Sequence, residues 1–194
     1  MAPKTLRETV LSAAVDYIPE HGPDGLSFRQ VALAAGVSHQ APYHHFGDRD
    51  AIFTEIALIG FRIFAAELAA TARRDEEKDI VVRMLERYVN FALTHTGYYR
   101  VMFRSDLCKI GESSELQKLA DSAFDTLIDA VQSIVGNSAS VDEIRVVATT
   151  MWSAAHGLAT LLIDGPLEMK IGTLSDRKKL VRAVGARLSD GLHR

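Results

Sequence analysis

The sequence contains few of the residues that secreted or linker-rich proteins use. Cys108 is the single cysteine among 194 residues, so an internal disulfide is excluded and a reducing compartment is favoured. A lone cysteine with apolar neighbours is usually structural, and we expect that of Cys108. With 5 prolines and 13 glycines there is little material for a flexible linker. The opening residues, MAPKTLRETVL, lack a signal-peptide core, which predicts a cytoplasmic protein.

One uncharged segment raises the question of a membrane helix. Asp, Glu, Lys and Arg are all absent from residues 146–163, and this length approaches that of a transmembrane span. The segment nevertheless contains polar residues such as Thr149, Ser153 and His156, and it lacks aromatic belts at its ends. We therefore predict a helix buried in a bundle or in a dimer interface, and no membrane partner.

The charge of the chain does not by itself indicate nucleic-acid binding. The net charge is −3, and residues 1–50 contain more acidic than basic side chains. This is the strongest observation against a DNA-binding function. Overall charge governs non-specific affinity, however, and a few well-placed donors can still hold phosphates.

Apolar residues recur at intervals of three and four throughout the chain, which is the period of amphipathic helices. Runs of alternating β-branched residues bounded by turns are missing. The pattern predicts an all-α protein of about nine helices. The apolar stripes occupy residues 6–17, 28–35, 52–68, 80–92, 124–135, 144–158 and 180–188.

The N-terminal region contains the helix start and stop signals that are typical of a helix-turn-helix. The first helix is predicted to end just before Pro19, which lacks an N–H. Ser27 occupies an N-cap position with Gln30 three residues later, the spacing of a capping box. Gly36 suits the left-handed residue that ends this short helix, Ser38 is placed to cap the next one, and Asp48 is placed to cap the long helix after it. Two short helices joined by a tight turn are predicted.

The second short helix, residues 38–46, reads SHQAPYHHF and offers little to a core. Hydrogen-bonding side chains crowd its first turns, as expected of a helix that reads base edges and phosphates. Pro42 is tolerated in the first turn and can offer an apolar face to a thymine methyl. A polar helix without a partner is one alternative. A metal site of His39, His44 and His45 is another, but adjacent helical histidines point about 100° apart and a ligand cluster is lacking, so we predict no metal and no cofactor.

These features resemble the DNA-binding signature of TetR-type transcriptional regulators. The resemblance rests on residues 26–32 (LSFRQVA), 35–38 (AGVS), 43–46 (YHHF) and 48–52 (DRDAI). In the C-terminal half, residues 151–158 (MWSAAHGL) are similar to the Trp-x-x-x-His-Gly signature of one subgroup's ligand-binding domain. The resemblance implies a helix-turn-helix domain at 1–47 and a helical ligand-binding and dimerisation domain at 48–194.

The resemblance also implies DNA-contacting residues. Ser27 and Arg29 would contact phosphate, as would Tyr43, His45 and Arg49, while His39, Gln40, Pro42 and His44 would read bases. A dimer would present two recognition helices about 34–36 Å apart to a near-palindromic operator in double-stranded DNA. The predicted DNA-binding residues are Ser27, Arg29, Ser38, His39, Gln40, Pro42, Tyr43, His44, His45 and Arg49.

Aromatic and methionine side chains in the body are the candidates for a pocket that takes a small hydrophobic effector. Ordinary core packing is the alternative for each of them, and His156 can be a core histidine. By the resemblance, the effector would release a repressor from DNA by shifting its conformational population. The predicted ligand-binding residues are Phe61, Phe64, Tyr88, Phe91, Tyr98, Tyr99, Met102, Phe103, Phe124, Trp152 and His156.

Two other classes of function remain open at this stage. A helical enzyme using His95 or His156 is one, although a nucleophile elbow, a His-Glu-x-x-His motif and a phosphate loop are all absent from the sequence. We therefore predict that the protein is not an enzyme. A protein-only adaptor is the other. A homodimer is expected, with its seam along residues 144–163 and 176–191.

Overall fold

The computed structural model describes residues 4–73, 79–108, 110–173 and 176–192. These ranges contain ten α-helices and one 3₁₀ turn and are free of strands, so the all-α prediction is confirmed, with one helix more than expected. The helices are α1 Leu6–His21, α2 Phe28–Ala35, α3 Ala41–Phe46, α4 Arg49–Ala72, α5 Ile80–Thr94, α6 Thr96–Met102, α7 Ser114–Val135, α8 Val141–Ile163, α9 Pro166–Ile171 and α10 Arg177–Leu192, with the 3₁₀ turn at Ile110–Glu112.

The helices pack into two compact units. The first comprises Met1–Arg62 and His95–Leu119, and the second comprises Ile63–Thr94 and Ala120–Arg194. These two units are defined by packing. The predicted boundary at residue 47 instead separates a DNA-binding domain from a ligand-binding and dimerisation domain, and it stays a prediction.

In the first unit, α1 packs against α2 and α6. A capping box fixes its start, because the Thr5 hydroxyl accepts the N–H of Glu8 while the Glu8 carboxylate accepts the N–H of Thr5. The prediction that the helix ends before Pro19 is wrong, since α1 continues to His21. Pro19 removes one backbone hydrogen bond, and the burial of Val10, Ala14 and Ile18 holds the rest of the helix in place.

The helix-turn-helix is present, with one corrected boundary. Ser27 caps α2 and Gly36 ends it in the left-handed region at φ 66°, as predicted. Ser38 does not cap α3, which begins at Ala41 with Gln40 in the cap position. The reason is Pro42: a helix capped by Ser38 would need an N–H at residue 42 for its first backbone bond, and proline has none.

In the second unit, α5 packs against α8 and α10. Its buried stripe includes Val81, Leu85 and Tyr88, spaced at three and four residues. Val181 and Ser189 on α10 lie buried eight residues apart on one helical face. The core of this unit therefore includes the α5 stripe that the periodicity predicted, whereas the predicted α10 stripe of Leu180, Val184 and Leu188 is only half-buried.

Helix α8 is the candidate membrane span among the described residues, by length and composition alone, with a mean hydropathy of 1.4 over its most apolar window. Ser140 caps it, and its buried face carries Ile144, Ala148 and Met151. The opposite face leaves Val146 and Leu161 65% and 42% exposed. One face of α8 is thus a core face, and the other is apolar but uncovered in a single chain.

Candidate DNA-binding interface and effector region

The start of α2 presents two of the predicted DNA contacts to solvent. Ser27 and Arg29 are both exposed, in positions fixed by the helix cap. The Ser27 hydroxyl accepts the backbone N–H of Gln30 at 3.3 Å and contacts the Gln30 side-chain oxygen. Phe28 between them is buried and anchors the helix start. This corner can offer a hydroxyl and a guanidinium to a phosphate.

Most of the predicted recognition side chains are exposed at the next element. Ser38, His39 and Gln40 lie in the turn before α3, and His44 and His45 lie on α3 itself. The structure therefore brings a continuous polar segment to the surface directly after α2. It is held by backbone bonds from Ala41 N–H to the Ser38 carbonyl and from His44 N–H to the Gln40 carbonyl.

Tyr43 is the best-defined side chain of this surface. Its ring packs edge-on against Phe28 with centroids 4.4 Å apart, while 60% of the residue stays exposed. The contact joins α3 to α2 and leaves the hydroxyl in a fixed place. Pro42, one residue earlier, is buried. Its ring is therefore not exposed for the predicted contact with a thymine methyl.

Arg49 holds the loop that leads into α2. Its guanidinium donates to the carbonyls of Asp24 and Leu26 at 3.4 and 3.3 Å and lies over the Phe53 ring. The residue is exposed overall, at the start of α4. Asp48 caps that helix, because its carboxylate accepts the N–H of Ala51 at 2.8 Å, as predicted.

Sequence reasoning missed a second arginine at the same loop. Arg104, after α6, donates to both carboxylate oxygens of Asp24 at 3.1 and 3.3 Å and also pairs with Asp106. The hydrogen bonds that Arg104 donates to Asp106 and Asp24 raise the pKa of Arg104, and the bonds to Asp106 lower the pKa of that carboxyl. Asp24 and Arg104 are 80 residues apart, so neither spacing nor periodicity could have joined them.

The predicted effector residues fall into three groups. The first lies in the first unit, where Phe103 makes edge-on ring contacts with Phe61 and Tyr99, with centroids 5.5 and 5.7 Å apart. Met102 is fully buried beside them, and Tyr98 is half-buried. Burial raises the pKa of Tyr98, with a further contribution from Asp16. This group forms well-packed apolar contacts.

The second group lies in the second unit around Phe64. Its ring lies 5.1 Å from Tyr88 and 4.9 Å from Phe91. The Tyr88 hydroxyl is hydrogen-bonded to Nδ1 of His156 at 2.8 Å. Burial lowers the pKa of His156, so the neutral imidazole is favoured. This histidine is thus bonded to a phenol within the unit.

The third group is an aromatic pair at the surface of the second unit. Phe124 and Trp152 have ring centroids 5.8 Å apart and are 37% and 40% exposed. Among all the predicted effector residues, these two are the ones whose rings are most open to solvent.

Cys108 is fully buried, as expected of a structural cysteine. Its Sγ lies 3.2 Å from the Arg104 carbonyl and 3.4 Å from the Val101 carbonyl. Burial raises the pKa of the thiol to about 11, which disfavours the reactive thiolate.

Two family profiles match the chain. One, described as bacterial regulatory proteins of the tetR family, covers residues 10–56. The other, described as a tetracyclin repressor-like C-terminal domain, covers residues 81–187. The first includes α2, the turn and α3, and the second includes Tyr88 and the 151–158 segment.

Individual proteins agree with the profiles. Over 84 residues the chain is 33% identical to the HTH-type transcriptional repressor AcnR of Corynebacterium efficiens, and the match covers 43% of each chain. The matched part is thus less than half the length of that relative. A solved protein of unknown function from Rhodococcus sp. RHA1 is 28% identical, with a TM-score of 0.76 and coverage of 99% and 97%. The TetR family regulator PfmR of Thermus thermophilus is 19% identical, with a TM-score of 0.73 and coverage of 95% and 99%, which shows a shared fold.

Proposed function

We propose, from the premise that this chain belongs to the TetR family of transcriptional regulators, that it is a repressor that binds a near-palindromic operator as a homodimer and is released by a small hydrophobic effector. Membership makes it a transcriptional regulator rather than an enzyme. The cytoplasmic location and the Trp-x-x-x-His-Gly subgroup, carried by Trp152, His156 and Gly157, belong to this proposal.

The observation that carries the DNA-binding proposal is the packing of Tyr43 on Phe28. A surface helix without a partner has no need of a fixed, outward-facing phenol. Here the edge-on contact orients Tyr43 and, through it, the exposed His44 and His45 of the same short helix. The proposed DNA-binding residues are Ser27, Arg29, Ser38, His39, Gln40, Tyr43, His44, His45 and Arg49; Pro42 is left out because it is buried.

The homodimer proposal is supported by the uncovered face of α8. Val146, Thr150, Ser153, Gly157 and Leu161 follow one another at intervals of three and four, and all are exposed. Such a stripe of apolar and small residues permits close approach of a second helix. We assign the seam to this face together with α10.

The effector proposal is supported by the aromatic groups around Phe64 and Phe103 and by the open pair Phe124 and Trp152. A hydrophobic effector with one polar group would suit the group around Phe64, since the phenol of Tyr88 and the imidazole of His156 can reorient toward a ligand. Release from DNA would need a difference in effector affinity between two states, typically about 1–3 kcal/mol.

The test is selection of bound fragments from genomic DNA by the purified protein, followed by titration of the enriched operator. Arg29→Ala should weaken binding to all sequences and lower the salt slope by about one, because one phosphate contact is lost. His44→Ala should reduce discrimination between operator and random DNA. Arg73→Ala after α4 and His21→Ala on α1, both exposed, are the matched controls. Failure to retain any sequence in a salt-dependent manner would favour the protein-only adaptor.

A further inference from the structure

A positively charged cleft lies between α5 and α10 in the second unit. Its volume is about 410 Å³, within the range of small-molecule sites. Five cationic side chains and one carboxylate line it, together with apolar residues of both helices. The charged lining residues are Arg83, Glu86, Arg87, Arg177, Lys178 and Arg182.

Ion pairs within the unit orient three of the cations that line this cleft. Arg182 pairs with Glu86 at 2.8 Å, and Arg177 pairs with Glu168 at 3.1 Å. Arg87 lies 3.7 Å from Glu67 and donates to the Thr71 hydroxyl. Counted together with the carboxylates of Glu86, Glu168 and Glu67, the five cations of the lining keep a net charge of +2, in a chain whose net charge is −3. A local excess of this kind attracts anions.

The sequence at the start of α10 strengthens this point. Its first turn carries Arg177, Lys178 and Lys179 and has no acidic residue. Cations at a helix N-terminus oppose the helix dipole. Asp176 caps the helix by accepting the N–H of Lys179, and the two cations of this turn that line the cleft, Arg177 and Lys178, add to its positive charge.

The lining also defines the kind of anion. Guanidinium groups bind carboxylates and phosphates through paired hydrogen bonds, and several approach the cleft from two helices. Val89, Leu93 and Val181 supply an apolar wall against which a short carbon skeleton can lie. We propose that this cleft binds a small organic molecule with at least two phosphate or carboxylate groups. The site is separate from the aromatic groups proposed for the hydrophobic effector.

Calorimetric titration of the full-length protein without DNA tests this inference independently of operator binding. The probes are pyrophosphate and succinate, which distinguish a phosphate from a carboxylate ligand, with sodium chloride at matched ionic strength as the blank. Saturable binding of either probe is expected, weakened as salt is added.

Paired variants on one helix make the test specific. Lys178→Gln/Arg182→Gln removes two charges from the cleft and should lower the probe affinity at least tenfold. Lys179→Gln/Arg187→Gln removes two exposed charges of α10 that do not line the cleft and should bind as the wild type does. Circular dichroism checks that both variants fold. Absence of saturable binding, or equal loss in both variants, would overturn the proposal.

Discussion

The carbonyl oxygen of Val15 lies so close to Gly97 that a Cβ atom at residue 97 would stand 2.3 Å from it. Val15 is four residues before Pro19, so this carbonyl is the one that an N–H at position 19 would have bonded. The carbonyl that Pro19 leaves without its usual helical N–H donor is thus the one that lies against Gly97 of α6. The close approach of the two helices depends on the missing side chain.

Gly97→Ala should therefore separate α1 from α6. Because the obstacle is backbone rather than a flexible side chain, we expect a loss of about 2–4 kcal/mol in the free energy of unfolding. Thermal denaturation should show a Tm lower by about 5–15 °C. Gly191→Ala in α10 is the control, since a Cβ there meets no atom within 4 Å. A Gly97→Ala protein as stable as the wild type would contradict the close contact.

Tyr43→Phe separates the two roles of the tyrosine. Phenylalanine keeps the edge-on contact with Phe28, so the Tm should stay within about 1 °C of the wild type. The hydroxyl is lost, and a hydrogen bond to a charged phosphate oxygen contributes about 1.5–3 kcal/mol. Operator affinity, measured by fluorescence anisotropy, should fall tenfold or more. Unchanged affinity would place this hydroxyl outside the interface.

His156 should make stability depend on pH. Burial lowers its pKa in the folded state, so below about pH 6.5 the unfolded chain binds a proton more readily than the native protein does. The stability that the neutral, buried imidazole of His156 contributes is fully present above about pH 6.5. It is lost as the pH falls through the pKa that His156 has in the folded protein. In His156→Asn, the amide oxygen can still accept from the Tyr88 hydroxyl but does not titrate.

Urea denaturation of both proteins between pH 7.5 and pH 5 measures this effect. The other titrating groups are common to the two proteins and cancel in the difference. As the pH falls, the free energy of unfolding of the wild type should decrease more than that of His156→Asn. Parallel curves would mean that His156 has the same pKa in the folded and unfolded states.

Sequence reasoning succeeded where a signal and its structural consequence are close in the chain. Ser27 with Gln30, the left-handed Gly36 and Asp48 with Ala51 each act within four residues, and each is found as predicted. The two errors at helix ends both involve proline. The helix passes through residue 19 because the core holds it there, and α3 starts late because residue 42 cannot donate.

Longer-range relationships gave no readable signal. Phe61 and Phe64 are neighbours on one face of α4, yet they belong to different packing units and touch different aromatic groups. A one-dimensional pattern places both in a single apolar stripe. The short α9 lies outside the predicted apolar stripes, because six residues beginning with proline give too little periodicity to detect.

The Arg104–Asp24 pair is one such long-range contact, and it should act on DNA binding more than on stability. Both side chains are substantially exposed, at 40% and 72%, so a double-mutant cycle with Arg104→Gln and Asp24→Asn should give a coupling below about 1 kcal/mol in unfolding. The pair fixes the loop before Ser27, however, and its loss should lower operator affinity severalfold.

Arg104→Lys should resemble Arg104→Gln, because an ammonium cannot hold two carboxylate oxygens in a planar fork. The coupling should shrink in about 0.5 M salt, and operator binding insensitive to all three variants would show that this loop does not position α2.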